Sequence, residues 1–202
     1  MKRLRTLGWL PEALLTLSGE ERFLLEHDWW GLWARANQLP PDGHAWRNWL
    51  LLGGRGAGKT RAGAEWVKAM ALGAWGPRAE RIALVAPTFD EARLVMIEGK
   101  SGLLAIHADG ERPRFEPSKR QLTWPNGCVA HVFTAEEPDG LRGPQFDAAW
   151  CDEMAKWKQL EAVWDMLTVG MGGYIGGRSL EKITGQIFGV VPSRIFSKQD
   201  QK

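Results

Sequence analysis

Cysteine is nearly missing from this chain. Cys128 and Cys151 are the two present, both among apolar neighbours and neither at metal-ligand spacing. That argues against a disulfide framework or a zinc site and for buried free thiols in a reducing compartment. Long apolar runs are missing too, as is a short apolar segment with a cleavage site near the start. The expectation is a soluble, cytoplasmic protein with no membrane partner. Nor does one charge dominate. Lys and Arg number 26 against 24 Asp and Glu, a net +2, mixed along the chain, so charge balance alone does not mark a nucleic-acid binder. Tyrosine occurs once while tryptophan occurs 12 times, which reads as large apolar bodies for packing. With 202 residues, 44% of them hydrophobic, the chain can build a sizeable core in one α/β domain with an appendage, or at most two small domains.

What is present centres on Gly53-Gly54-Arg55-Gly56-Ala57-Gly58-Lys59-Thr60, which fits G-x-x-x-x-G-K-[ST], the phosphate-binding loop. Trp49-Leu50-Leu51-Leu52 precedes it and reads as a buried parallel strand. Lys59 to Ala71 follows it, rich in helix formers, with Gly63 the one weak position. A strand turning through glycines into a helix aims backbone N–H groups and a helix N-terminus at one point, which attracts an anion. The glycines let backbone wrap phosphate without a Cβ in the way. Lys59 is expected to reach the β- and γ-phosphates, and the Thr60 hydroxyl to hold Mg²⁺.

A second strand, Arg81 to Ala86, leads through Pro87-Thr88 into a helix over Phe89 to Ile97, with Asp90 and Glu91 in its first turn. Strand, helix, strand, helix is the βαβ pattern, hence a parallel sheet with helices on both faces and ligands at the carboxyl ends of the strands. Gln121 to Trp124, Pro125-Asn126-Gly127 and Cys128 to Phe133 read as an inserted β-hairpin. Arg112, Arg114, Lys119 and Arg120 cluster before it, either as a track for a DNA backbone or as a solvated edge. The stretch Phe146 to Glu153 delivers two adjacent carboxylates from an apolar strand. Asp152 is expected to hold Mg²⁺ through water, and Glu153 to orient and deprotonate the attacking water. Arg142, in the stiff loop Pro138 to Pro144, is a candidate arginine finger; Arg55 is its rival.

Upstream, Ser18 and Glu21 form a capping box, so a helix should start near Gly19. Phe23, Leu24, Trp30 and Trp33 can share its apolar face. It should stop by the loop Gln38-Leu39-Pro40-Pro41-Asp42-Gly43. Gln38 either recognises adenine or belongs to a helical arm covering the sheet. Lys2, Arg3 and Arg5 are a short basic start that can touch phosphates or simply be solvated.

Gly54 to Gly63, with Gln38-Leu39-Pro40-Pro41 upstream and Ala86-Pro87-Thr88, Leu141-Arg142-Gly143 and Trp150-Cys151-Asp152-Glu153 downstream in that order, resembles the large subunit of tailed-phage terminases, most nearly those of prophages and gene transfer agents. The resemblance runs from about Ser18 to Gly170. It implies a P-loop NTPase core of the ASCE, RecA-like kind with flanking helices. It implies an ATP-driven motor, with Mg²⁺, that docks on a portal protein and threads double-stranded DNA into a procapsid beside a terminase small subunit. By that likeness Gln38 lies near adenine, Gly53, Gly58, Lys59 and Thr60 bind phosphates and metal, Asp152 and Glu153 are the metal and catalytic carboxylates, and Arg142 acts across a homo-oligomeric ring.

The resulting division is a helical arm over 1–45, an ATPase core over 46–170 and a divergent tail over 171–202. The resemblance also carries the expectation of a truncated product, without the nuclease domain that follows in the family and so without DNA cutting. Within the tail, Ile187 to Val191 is the nearest substitute for the strand expected between the two motif-bearing strands. Being short and holding Gly189, it reads as a poor central strand, and the expectation is a sheet damaged at its middle. Two other functions stand beside the motor. One is a helicase-like translocase, which shares the loop and the acid pair; the other is a remnant that binds nucleotide without turnover.

Overall fold

The computed structural model describes residues 16–41, 46–172 and 186–191. Lys2, Arg3, Arg5, Asp42, Gly43, the glycine-rich stretch beyond Gly172, and Pro192 and Ser193 lie outside the described residues. The chain divides into two compact units, Met1–Leu39 and Pro40–Lys202, so the arm ends a few residues before the expected boundary at 45.

In the first unit, helix α1 spans Gly19–His27. Its capping box is formed: the Glu21 backbone N–H donates to Ser18 Oγ at 3.2 Å and the Ser18 N–H to Glu21 Oε2 at 2.8 Å. These bonds hold the Glu21 carboxyl below its usual range. The helix stops earlier than its periodicity suggests. Asp28 closes it and its side chain accepts from the Gly31 N–H at 2.9 Å, opening a π-helical turn over Trp29–Trp33. A 3-10 turn, Ala36–Gln38, follows. The expected shared face of Phe23 and Leu24 is not a buried one, since both are 50% exposed. Trp29, one step out of that phase, is the buried ring. The change from 3.6 residues per turn to the wider π turn rotates the face.

The second unit is built on a seven-stranded sheet of order β1-β7-β6-β2-β5-β4-β3. The strands are β1 (Asn48–Leu52), β2 (Arg81–Ala86), β3 (Arg114–Glu116), β4 (Gln121–Thr123), β5 (Val129–Thr134), β6 (Ala148–Cys151) and β7 (Gln186–Val191). Strands β1, β7, β6, β2 and β5 pair in parallel, and β4 and β3 extend them antiparallel. The helices are α2 (Lys59–Leu72), α3 (Phe89–Glu91, continuing as a π turn over Ala92–Ile97), α4 (Leu103–Ile106) and α5 (Leu160–Gly172).

Three expectations change here. The hairpin is not a separate insertion: β5 aligns Arg81↔Val129 through Ala86↔Thr134 with β2, so only β4 and β3 lie outside the parallel set. Strand β1 is an edge rather than a buried strand, and Leu50 and Leu52 are 50% and 42% exposed. Most consequential is β7. It lies between β1 and β6, with Leu50↔Gly189 on one side and Cys151↔Gly189 on the other. The middle of the sheet is therefore filled. Backbone groups on the facing edges of β1 and β6 need partners whatever the intervening side chains, and that need outweighs the strand-weakening effect of one glycine.

The two faces of the sheet bury different sets. Ala83, Val85, Ala149 and Cys151 join Leu141, Phe146, Trp157, Val163 and Leu167 in one apolar cluster, which places α5 on that face. On the other face, Trp150 pairs in register with Leu84 and meets α2 at Gly63, where an added Cβ would land inside the indole ring. The weak helix former is thus a packing requirement: its missing side chain is what lets α2 lie close on β6.

Candidate functional site: a glycine loop facing two carboxylates

The site forms where β1, β2 and β6 end. After β1 the chain turns through Gly56 at φ 77° and Gly58 at φ 77°, ψ 22°, the latter capping α2. Both are left-handed conformations that a Cβ disfavours. Gly53 is fixed by a close approach, since a Cβ there would sit 2.7 Å from that of Ala57. The Ala57 N–H donates to the Gly54 carbonyl at 3.2 Å. Lys59 folds back over the loop, its Nζ donating to the carbonyls of Gly53 at 2.8 Å and Gly54 at 3.1 Å.

Across β7, strand β6 delivers Asp152 and Glu153. Asp152 is 5% exposed. Its N–H donates to the Val85 carbonyl at 2.9 Å, and its own carbonyl accepts from Trp157 Nε1 at 3.1 Å. Burial, then the neighbouring Glu153 charge, push its carboxyl up to about 6, against the opposing pull of Lys59 and Lys156. Glu153 adopts φ 49°, ψ 40°, the left-handed region, which is costly for a side-chain-bearing residue and recurs where a functional group must be aimed. Buried Met154 then anchors the short turn Met154–Lys156.

Residues 53–61, Glu153, Lys156, Leu94, Val95, Gly99, Lys100 and Ser101 line one cleft of about 930 Å³. Gly53, Gly54, Arg55, Gly56, Ala57, Gly58, Lys59, Thr60 and Glu153 thus come together, and Asp152 lies close enough to feel the Lys59 charge. Arg142 does not line this cleft. It is 71% exposed, pairs with Asp139 at 3.0 Å, and borders a separate 400 Å³ depression with Pro144, Met166 and Val169. Gln38 belongs to the first unit, where it is buried and its Oε1 accepts from the Arg35 N–H at 3.1 Å. In the basic cluster, Arg114 and Lys119 both pair with Glu116, and Arg120 with Glu137. Thr88 caps α3 rather than facing the cleft, accepting from the Glu91 N–H at 3.1 Å.

Sequence reasoning missed the wall opposite the loop. Lys156, one short turn beyond Glu153, was legible only once that turn was known. Leu94 and Val95, 62% and 40% exposed, come from the π segment, whose register no periodicity announces.

The residues present suit a nucleotide and its metal. Open space around Gly54 and Gly56 leaves room for phosphate against the backbone, and Lys59 supplies its charge. Among the described residues no group of three or more His, Cys, Asp or Glu gathers. One hydroxyl and one carboxylate is the sparse donor set that suits Mg²⁺, which keeps several waters. No helix of the described residues is long and apolar enough to cross a membrane.

A family model described as the N-terminal part of the T4likevirus-type terminase large subunit matches residues 50–175. The Thermus phage P74-26 large terminase ATPase domain aligns at 19% identity and TM-score 0.50, over 86% of this chain and 85% of that one. A point mutant of the same domain aligns at 18% and 0.47, over 72% and 59%. The large terminase of a thermophilic bacteriophage, solved in complex with ADP, aligns at 16% and 0.49, over 70% and 33%. The chain therefore spans well under two thirds of the length of two of these three. The P74-26 domain supports the fold, an α/β sheet of P-loop type. No curated protein matches the chain.

Proposed function

The chain belongs to the terminase large-subunit family of T4likevirus type, and from that premise we propose that it is the ATP-hydrolysing part of a motor driving double-stranded DNA into a viral procapsid. The observation that carries the reading is the shared cleft: the loop 53–60 and Glu153 line one cavity of about 930 Å³.

In this reading the loop N–H groups and Lys59 bind the phosphates, with Lys59 leaving the Gly53 and Gly54 carbonyls to do so. Thr60 and Asp152 would hold Mg²⁺, which when bound would neutralise charge on the phosphate oxygens. Glu153 orients a water and takes its proton. Glu153 lines the cleft, while Asp152 is buried beside it. Arg55, already in the cleft, and Arg142, exposed on another surface, are the two finger candidates. Arg142 suits action on a neighbouring copy in a ring, and Arg55 action within one chain. The portal protein, the terminase small subunit and double-stranded DNA are the partners.

Two substitutions test this. Lys59→Ala should abolish ADP binding. Glu153→Gln should leave ADP binding intact while lowering ATP turnover by roughly two to four orders of magnitude, the range for loss of a general base. Equal, negligible turnover before and after Glu153→Gln would favour the inactive nucleotide-binding remnant. Finger assignment follows from mixing subunits: Arg142→Ala should be rescued by a neighbour that retains Arg142, and Arg55→Ala should not.

A further inference from the structure

The mechanism leaves Arg61, Lys100 and Lys156 of the cleft unused; Arg61 is paired with Glu65 on its own helix, and Lys156 is the one that shares a wall with Glu153. Lys156 lines the cavity with Glu153 and the phosphate loop. Its Nζ lies 3.1 Å from Glu91 Oε1, so it ties the Met154–Lys156 turn to the first turn of α3. We propose that Lys156 discriminates the terminal phosphate of the nucleotide, exchanging its partner Glu91 for the γ-phosphate when a triphosphate enters the cleft.

Three observations carry this inference, which rests on the nucleotide reading of the site. First, position: Lys156 and Glu153 line the same cleft as the phosphate loop, so the terminal phosphate of a polyphosphate seated on the loop would lie on their side of it. Second, charge: that phosphate approaches Asp152 and Glu153, two carboxylates, and the Lys156 ammonium already feels both. A mobile cation on this wall offsets a repulsion that a diphosphate, ending short of it, does not meet. Third, cost: the Lys156 and Glu91 side chains are 53% and 39% exposed, and an exposed pair of this kind contributes little to stability, so its exchange is cheap. A charge-assisted bond to phosphate is the stronger alternative for the ammonium.

The experiment is calorimetric titration of the full chain with Mg²⁺–ATPγS and with Mg²⁺–ADP. Lys156→Ala should weaken ATPγS roughly tenfold, a single charge-assisted contact, and leave ADP within about twofold. Lys156→Arg should restore most of the difference. Glu91→Gln, which removes the competitor, should tighten ATPγS and not ADP. Equal weakening of both nucleotides by Lys156→Ala, or no change in either, overturns the proposal. ATPγS binding unchanged or weakened in Glu91→Gln overturns it too, because Glu91 would then not compete. Lys59→Ala run alongside separates the levels: ADP binding that survives it defeats the nucleotide reading itself, whereas its loss with an inert Lys156→Ala defeats only the discrimination.

Discussion

Replacing Gly63 by alanine sets two effects of known sign against each other. Alanine is the better helix former, by about 1 kcal/mol in a helix interior. Its Cβ, however, enters the ring of Trp150, which is fully buried on β6 and has no solvent to move toward. Overpacking of this kind costs about 1–3 kcal/mol. Packing should win, leaving Gly63→Ala destabilised by up to about 2 kcal/mol. The strain should relax when the ring is made smaller. In a double-mutant cycle with Trp150→Phe, the pair should lose less than the sum of the singles, with a coupling of about 1–2 kcal/mol. Urea unfolding measures this as shifts of midpoint at constant slope. A second readout ties the contact to the site: α2 begins at Lys59 and Thr60, so a helix pushed off β6 should bind ADP more weakly, and the double variant should recover affinity. A Gly63→Ala chain more stable than the parent, or effects that add within about 0.3 kcal/mol, would refute the reasoning.

Other outcomes follow from buried groups outside the cleft. His107 Nε2 accepts a hydrogen bond from the Trp124 Nε1–H at 2.9 Å and its Nδ1–H donates to the Leu103 carbonyl at 2.6 Å, so the neutral ring is fully satisfied; burial pushes it down to about 4. An unfolded His107 takes up its proton near pH 6.5 and the folded one only near 4, so its share of stability is complete above 6.5 and is lost as pH falls toward 4. Between pH 7 and 5 that share is about 2 kcal/mol. Asp152, pushed up, works in the opposite sense, so the test compares urea midpoints of the parent and His107→Gln across that range; parallel curves would count against the assignment. Burial pushes the Cys128 thiol up to about 12 and raises Cys151 as well, so a thiol reagent should label neither at pH 8 until urea unfolds the chain. Asp147 Oδ2 accepts from the N–H groups of Glu80 and Arg81 at 2.8 and 2.9 Å where β2 begins, and because both bonds are exposed to water, Asp147→Ala should cost only about 0.5–1.5 kcal/mol in urea unfolding.

The parts of the fold legible in the sequence are those decided within a few residues. The loop from Gly53 to Thr60, the cap of Ser18 and Glu21, and the turn at Asn126-Gly127 each state their geometry locally, and the structure forms all three. What was not legible depends on distant partners. Leu50 and Leu52 read as buried because nothing nearby says that β1 is an edge. Gly189 argued against a central strand because propensity cannot see two unpaired backbone edges waiting for it. At the site, the acids after β6 were legible and their setting was not: a left-handed Glu153 and a Lys156 tied to a helix 65 residues away are tertiary facts.

The central placement of β7 has a consequence for synthesis on the ribosome. Among the described residues, the strand that leads into the phosphate loop has one ladder neighbour, β7. That neighbour is translated on the order of 140 residues later, a wait on the order of ten seconds at ordinary elongation rates. During that interval β2, β5 and β6 can already associate, while β1 has no hydrogen-bonding edge to join. The nascent chain therefore carries an unpaired strand followed by a glycine loop until residues 186–191 clear the exit tunnel, so that the last backbone ladder of the parallel set to close is also one of long sequence separation.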